Sequence, residues 1–167
     1  MDSIRILLVD DHALFRRGLI ALFAAEPGIE VVAEAGDVGE ALRRAADARP
    51  DVVLLDNHLP GVRGVDAIQA LHEAAPEARV ILLTLSDESE VLATAVRAGA
   101  SGYLLKTCDT VELVDSIRRV HRGQVVLGAE VGFKLAQAIA APASGATSGA
   151  AAGAADALSP RERQIAA

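Results

Sequence analysis

The chain has 167 residues, 51% hydrophobic but only 2% aromatic, enough for one well-buried domain and a short appendage rather than two full domains. Sixteen Lys+Arg against 23 Asp+Glu leave a net charge of −7, which argues against broad electrostatic capture of nucleic acid by this polypeptide, because phosphate binding needs a basic surface. A lone cysteine, Cys108, excludes an internal disulfide framework and Cys-rich zinc sites, and no apolar run approaches the roughly 20 residues a membrane span needs. Asp2 and Arg5 stand where a signal peptide would build its apolar stretch, so the expectation is a soluble, cytosolic protein.

Residues 4–9 read as a strand and residues 13–25 as a helix with Leu14, Leu19, Leu22 and Phe23 on its inner face. Residues 29–35 form the next strand. Asp37 followed by Glu40 has capping-box spacing, so a helix starts there and runs to about Arg49, where Pro50 disfavours its continuation. Residues 52–55 are apolar throughout, as expected of a central strand buried on both faces. After a loop containing Pro60, Gly61 and Gly64, residues 65–75 read as a helix closed by Pro76. Residues 79–85 are a strand, Asp87 with Glu90 repeats the cap signal for a helix ending near Gly99, residues 102–105 are a short strand, and Asp109 or Thr110 opens a last helix to about Arg122.

Five strands separated by helix-length connections require a parallel sheet, and the right-handed crossover rule places helices on both of its faces. The expected fold is therefore a doubly wound α/β domain over residues 1–125. Residues 126–157 read as a linker. Its first part, 129–141, has helical spacing, with Val131, Leu135 and Ala138 on one side, and 142–157 is an Ala/Gly/Ser tract with almost no charge. Residues 158–167 begin a well-capped helix (Ser159, Pro160, Glu162) that stops after about two turns, which reads as the truncated start of a second domain.

In open parallel sheets, functional groups gather beyond the carboxyl ends of the strands. Those ends carry Asp10 and Asp11, Asp56, Thr84 and Lys106, while the second strand ends in Ala35-Gly36 and offers nothing obvious. Three carboxylates this close would repel, and a hard divalent cation with oxygen ligands, Mg²⁺, is the economical remedy. Asp56 could then act as a nucleophile towards a phosphoryl group whose oxygens Lys106 and Thr84 neutralise and hydrogen-bond. Singly, each residue has a blander reading: Asp11 as a helix cap, Asp56 as a turn residue, Thr84 as a strand residue and Lys106 as a solvated loop lysine. Together these readings need four separate coincidences. His12, His58, His72 and His121 fall on different elements and form no ligand cluster at metal spacing, and Cys108 reads as a partly exposed thiol. No glycine-rich phosphate loop follows the first strand.

Asp10-Asp11, Asp56 in LLDNHLPGVRG, Thr84 in VILLTLSD and Lys106 in SGYLLK resemble the receiver domain of two-component response regulators. LVDDHALFRRGL, AGASGYLLK and the terminal LSPRERQIAA narrow the resemblance to the NarL/FixJ subfamily, in which a receiver precedes a LuxR-type helix-turn-helix. The resemblance implies a flavodoxin-like sheet of order 2-1-3-4-5. It implies that Asp56 accepts a phosphoryl group from a sensor histidine kinase or a small phosphodonor. Asp10, Asp11, Asp56 and the backbone carbonyl of His58 would ligate Mg²⁺. Thr84 and Tyr103 would move inward on phosphorylation, changing the face formed by the fourth helix, fifth strand and fifth helix, with homodimerisation as the outcome. It further implies a cytoplasmic signalling protein rather than an enzyme, with DNA bound only through a full-length output domain. Thr107 after the lysine, Leu85 after Thr84 and the polar Asn57-His58 pair depart from the family pattern; Leu85 could partly cover the pocket. Two other readings of the same residues are a hydrolase of phosphate esters, which lacks its usual Asp-x-Asp spacing here, and a phosphorylation-independent scaffold.

Overall fold

A computed structural model of the chain describes residues 3–85 and 89–128. Six strands, β1 (Ile4–Val9), β2 (Ile29–Ala35), β3 (Val52–Asp56), β4 (Arg79–Thr84), β5 (Gly102–Leu105) and β6 (Val126–Leu127), form one sheet. Its order is β2-β1-β3-β4-β5-β6, and every pairing is parallel. The five expected strands and their order are present; the sixth is a correction. It adds Val126 and Leu127 beside Gly102 and Tyr103 at the sheet edge, where a two-residue strand carries too little periodicity to be read from sequence.

The connections are α1 (Ala13–Ala24), α2 (Val38–Ala48), α3 (Ile68–Ala74), α4 (Ser89–Ala98) and α5 (Thr110–His121). Alternation along the strands sends Ile4, Ile6, Leu8, Val52, Leu54, Ile81 and Leu83 to one face, where Phe23 of α1 and Leu113, Ile117 and Val120 of α5 cover them. The opposite-pointing Leu7, Val53, Leu55, Val80 and Leu82 are equally buried, and α2, α3 and α4 neighbour one another on that side. None of the helices in the described residues is long and apolar enough to cross a membrane.

The helix starts follow the capping chemistry. Asp37 and Asp109 each accept a hydrogen bond from the backbone N–H three residues on, at 2.8 Å, and Glu40 reaches back to Gly36 N–H at 3.0 Å. That bond lowers the Glu40 pKa from its ordinary value. Arg49, in the left-handed region at φ 48°, ends α2 before Pro50. Two readings need correction. Leu14 is 81% exposed, not on the inner face of α1, since it lies in the first turn, beyond the sheet edge that Phe23 covers. The segment expected as one helix from 65 begins as a 3-10 turn over Gly64–Ala67. Asp87, the readings for residues 129–157 and the start of a second domain at 158–167 lie outside the described residues.

Between β3 and α3 the chain makes a tight hairpin in which His58–Leu59 pairs antiparallel with Val62–Arg63. Asn57, buried, closes it: its backbone carbonyl accepts Gly64 N–H at 2.9 Å and its side-chain oxygen accepts Val65 N–H at 3.0 Å. Gly64 lies so close under β3 that a Cβ there would stand 2.1 Å from the Asp56 carbonyl oxygen. We expect Gly64→Ala to displace the end of β3 and cost on the order of 3 kcal/mol, and Asn57→Ala, which orphans a buried N–H, about 1–3 kcal/mol. Chemical denaturation reads both; wild-type midpoints would show that the loop does not brace the strand end.

Candidate functional site

In this sheet the strand order reverses between β1 and β3, and the crevice at such a switch point lies outside their carboxyl ends. Asp10 follows β1 there, and Asp56 is the last residue of β3; both are buried, at 4% and 1% exposure. Thr84 ends β4, buried, and Lys106 follows β5 directly. The Lys106 N–H donates to the Thr84 carbonyl at 2.7 Å, so the two strand ends are tied to each other.

The side chains expected from the sequence converge. Lys106 Nζ lies 2.7 Å from Asp10 Oδ2 and 3.2 Å from Asp56 Oδ1, with its side chain only 8% exposed. The Phe15 ring, 4.6 Å from Nζ to its centroid, covers the ammonium from α1. Asp11 is the more accessible acid, with its side chain 35% exposed. Asp56 Oδ1 also accepts the His58 N–H at 3.1 Å, whereas Asp56 Oδ2 is buried without a hydrogen-bond partner among the described residues. Burial is the main cause that raises the Asp56 pKa above its ordinary value; the His58 N–H opposes it, the Asp10 charge adds to it and Lys106 opposes it.

Ligand atoms of Asp10, Asp11, Asp56 and His12 all lie within 4.8 Å of one another. Oxygen donors at this spacing suit a hard divalent cation. His58 offers its backbone at this edge, while its side chain is exposed. Tyr103 is buried within β5, and Leu85, next to Thr84, is 62% exposed.

Three contributors escaped the sequence reading. His12, not Asp11, is the N-cap residue of α1, and its Nδ1 lies 3.2 Å from Asp10 Oδ1 and 3.3 Å from Asp11 Oδ1. The histidines form no cluster with one another, yet this one joins the acids. Arg16 donates through Nη1 to the Asp10 carbonyl and through Nε to Glu34 Oε1 at 3.0 Å, which brings the unpromising end of β2 into the support of the site. Asn57 is the third, through the loop contacts above. The DDH triplet and an arginine one helical turn further on were the available signal for the first two.

Cys108 stands apart, half-buried against the core. Burial, then the charges of Glu112 and Asp109, pushes its thiol up to about 11. We expect its alkylation near pH 8 to run about a hundredfold slower than that of an unfolded cysteine, because the thiolate is the nucleophile; equal rates with and without denaturant would contradict this.

The response regulator receiver domain model matches residues 6–118. The nitrate/nitrite response regulator protein NarP of Escherichia coli is 42% identical over 127 residues, 76% of this chain and 59% of that protein. The DNA-binding transcriptional activator DevR/DosR of Mycobacterium tuberculosis is 40% identical over 124 residues, 74% of this chain and 57% of that protein. A crystal structure of a LuxR-family two-component response regulator from Aurantimonas sp. SI85-9A1 superposes with a TM-score of 0.78 at 36% identity, covering 83% of this chain and 99% of that one. The chain spans 61%, 57% and 63% of the length of three such relatives. With a matching family model over its sheet and helices, and relatives of NarL type, the chain belongs to the response regulator receiver domain family, among regulators of the NarL/FixJ kind.

Proposed function

We propose that this domain accepts one phosphoryl group on Asp56 from a sensor histidine kinase, with Mg²⁺ held by Asp10, Asp11, Asp56 and the His58 carbonyl. The supporting observation is the buried Asp56 Oδ2, unpartnered among the described residues while its sister oxygen is held by Lys106 and the His58 N–H. Oδ2 is the nucleophile. It forms the new O–P bond as the P–N bond of a phosphohistidine breaks, and the electron pair and a proton go to the leaving imidazole. A bound Mg²⁺ supplies charge neutralisation for the transferring oxygens. Lys106, in contact with the sister oxygen Oδ1, and Thr84, buried at the end of β4, neutralise and hydrogen-bond the arriving phosphoryl.

The change in charge at Asp56 then biases the packing of Thr84 and Tyr103 and, through the tied ends of β4 and β5, the face made by α4, β5 and α5. Exposed Val96 on α4 and Val111 on α5 give that region apolar surface for a partner, a second copy included. In this reading the protein is a cytoplasmic phosphoacceptor rather than a turnover enzyme. It controls a DNA-binding transcriptional output domain, the reading given to residues 158–167 from their sequence, as the DNA-binding transcriptional activator DevR/DosR among its relatives suggests. The receiver takes in residues 1–125 and the edge strand Val126–Leu127, and residues 129–157 are its linker.

Asp56→Asn should abolish labelling by acetyl phosphate in Mg²⁺, read by intact mass, while the wild type gains one phosphoryl per chain. Undiminished labelling of the variant would overturn the acceptor, and sustained ester turnover would favour a phosphatase. A second test concerns stability. A carboxyl whose pKa is raised by folding contributes least when ionised, so its contribution falls as pH climbs from the ordinary 3.8 through the raised folded value. Without divalent ions at pH 7, Asp56→Asn should therefore raise the Tm, with the gap closing as pH falls towards the ordinary carboxylate range. Thermal melts across pH with chelator present check it; a destabilised variant at pH 7 would contradict it.

A further inference from the structure

His12 sits at the N-cap of α1, where a side chain normally accepts a hydrogen bond from the first helical turn, yet its ring makes no capping bond. The ring turns instead to the acids, and its Nδ1 stands 3.2 Å and 3.3 Å from carboxylate oxygens of Asp10 and Asp11. Its backbone N–H donates to Asp10 Oδ1 at 2.8 Å, so the residue is fixed from the main chain while the ring remains free to trade partners. The ring is 65% exposed and hydrogen-bonds Asp10 Oδ1 through Nδ1, which keeps that nitrogen facing the acids; a contact so wet gains little and is readily exchanged. Asp56, 1% exposed and with one carboxylate oxygen lacking a partner among the described residues, belongs to the same group of four ligand-bearing residues.

We propose that His12 is a nitrogen ligand of this pocket, which makes it a site for first-row transition-metal dications of the Co²⁺ and Zn²⁺ kind as well as for Mg²⁺. The inference rests on the acid-pocket reading above and adds a selectivity to it. Imidazole is a good donor to these borderline ions and a poor one to Mg²⁺, which prefers oxygen and keeps its waters. Three carboxylates and one imidazole therefore serve two classes of ion: the oxygens hold either, and Nδ1 adds binding only for the softer class. The metal filling the pocket then depends on which dication is in supply.

The test uses His12→Asn in the full chain. Asparagine is a favoured N-cap residue, so the helix start is kept or improved while the nitrogen donor is lost. Dissociation constants for Co²⁺ alone and Mg²⁺ alone are measured by calorimetry, with the visible Co²⁺ spectrum as a signature of nitrogen ligation. His72→Asn serves as the control for histidine binding elsewhere. We expect His12→Asn to weaken Co²⁺ about tenfold and shift its spectrum, with a much smaller effect on Mg²⁺ and no effect of His72→Asn on either. Equal losses for both ions, or none for Co²⁺, would overturn the nitrogen ligand while leaving the acid pocket standing. Failure of wild-type protein to bind Mg²⁺ at all would remove the pocket reading itself, and the selectivity with it.

Discussion

Two buried carboxylates share one ammonium, and the rest of the structure is arranged around that imbalance. Asp10 and Asp56 both contact Lys106 Nζ, and Asp11 stands beside them. Three acids against one base leave the pocket two charges short of neutrality. At an effective dielectric of about 20, like charges about 4 Å apart repel by on the order of 4 kcal/mol, so such a cluster persists only where the fold over-determines it. A dication would restore the balance, and under the proposed reading a phosphoryl group arriving on Asp56 would disturb it again, so the same deficit would favour a metal and make phosphorylation a strong local signal.

What over-determines it is a set of backbone ties at strand ends. Arg16 holds the Asp10 carbonyl and is braced by Glu34 from the neighbouring strand. Asn57 and Gly64 lock the loop beneath Asp56, and the Asn57 N–H donates to the Leu83 carbonyl at 3.0 Å, which couples β3 to β4 beside Thr84. The Arg16–Glu34 and Asn57–Leu83 ties reach a neighbouring strand and the Asn57–Gly64 tie closes the loop under Asp56, so the acids cannot separate without breaking these contacts. Such rigidity is what a preorganised site needs, because relaxation of the acids apart would remove the demand for a cation.

The fold was legible because its strands are mostly apolar, residues 52–55 throughout, and its helix starts at Asp37 and Asp109 carry capping chemistry that acts locally. The principal acids, Thr84 and Lys106 were legible for a topological reason: a parallel sheet delivers every strand exit to one edge, so a residue's place at a strand end is nearly its place in space. His12, Arg16 and Asn57 were not, because their contributions depend on the rotational phase of α1 and on a hairpin only two residues deep on each side. Leu14 was misassigned for the same reason. Its spacing fits the apolar stripe, but the helix begins beyond the sheet, so that face has nothing to cover. Val126 and Leu127 became a strand only because Tyr103 and Gly102 offered an unpaired edge, a tertiary fact no local pattern contains.

Local rules are broken in one place, and the breach is informative. Nearly all buried polar groups in a folded chain find partners, and here the Asp56 carboxylate is raised in pKa by its burial while one of its oxygens has no partner among the described residues. Asp37 and Asp109, by contrast, sit at solvent-exposed caps, where water can serve the oxygen that the backbone does not. Lys106 shows the complementary economy. Its stem and ammonium are enclosed by Phe15, and its backbone N–H is committed to Thr84. Any change in the charge that Lys106 faces is therefore passed to β5 and to the end of β4 rather than dissipated in water, and under the proposed reading this is how an event on one oxygen reaches the surface.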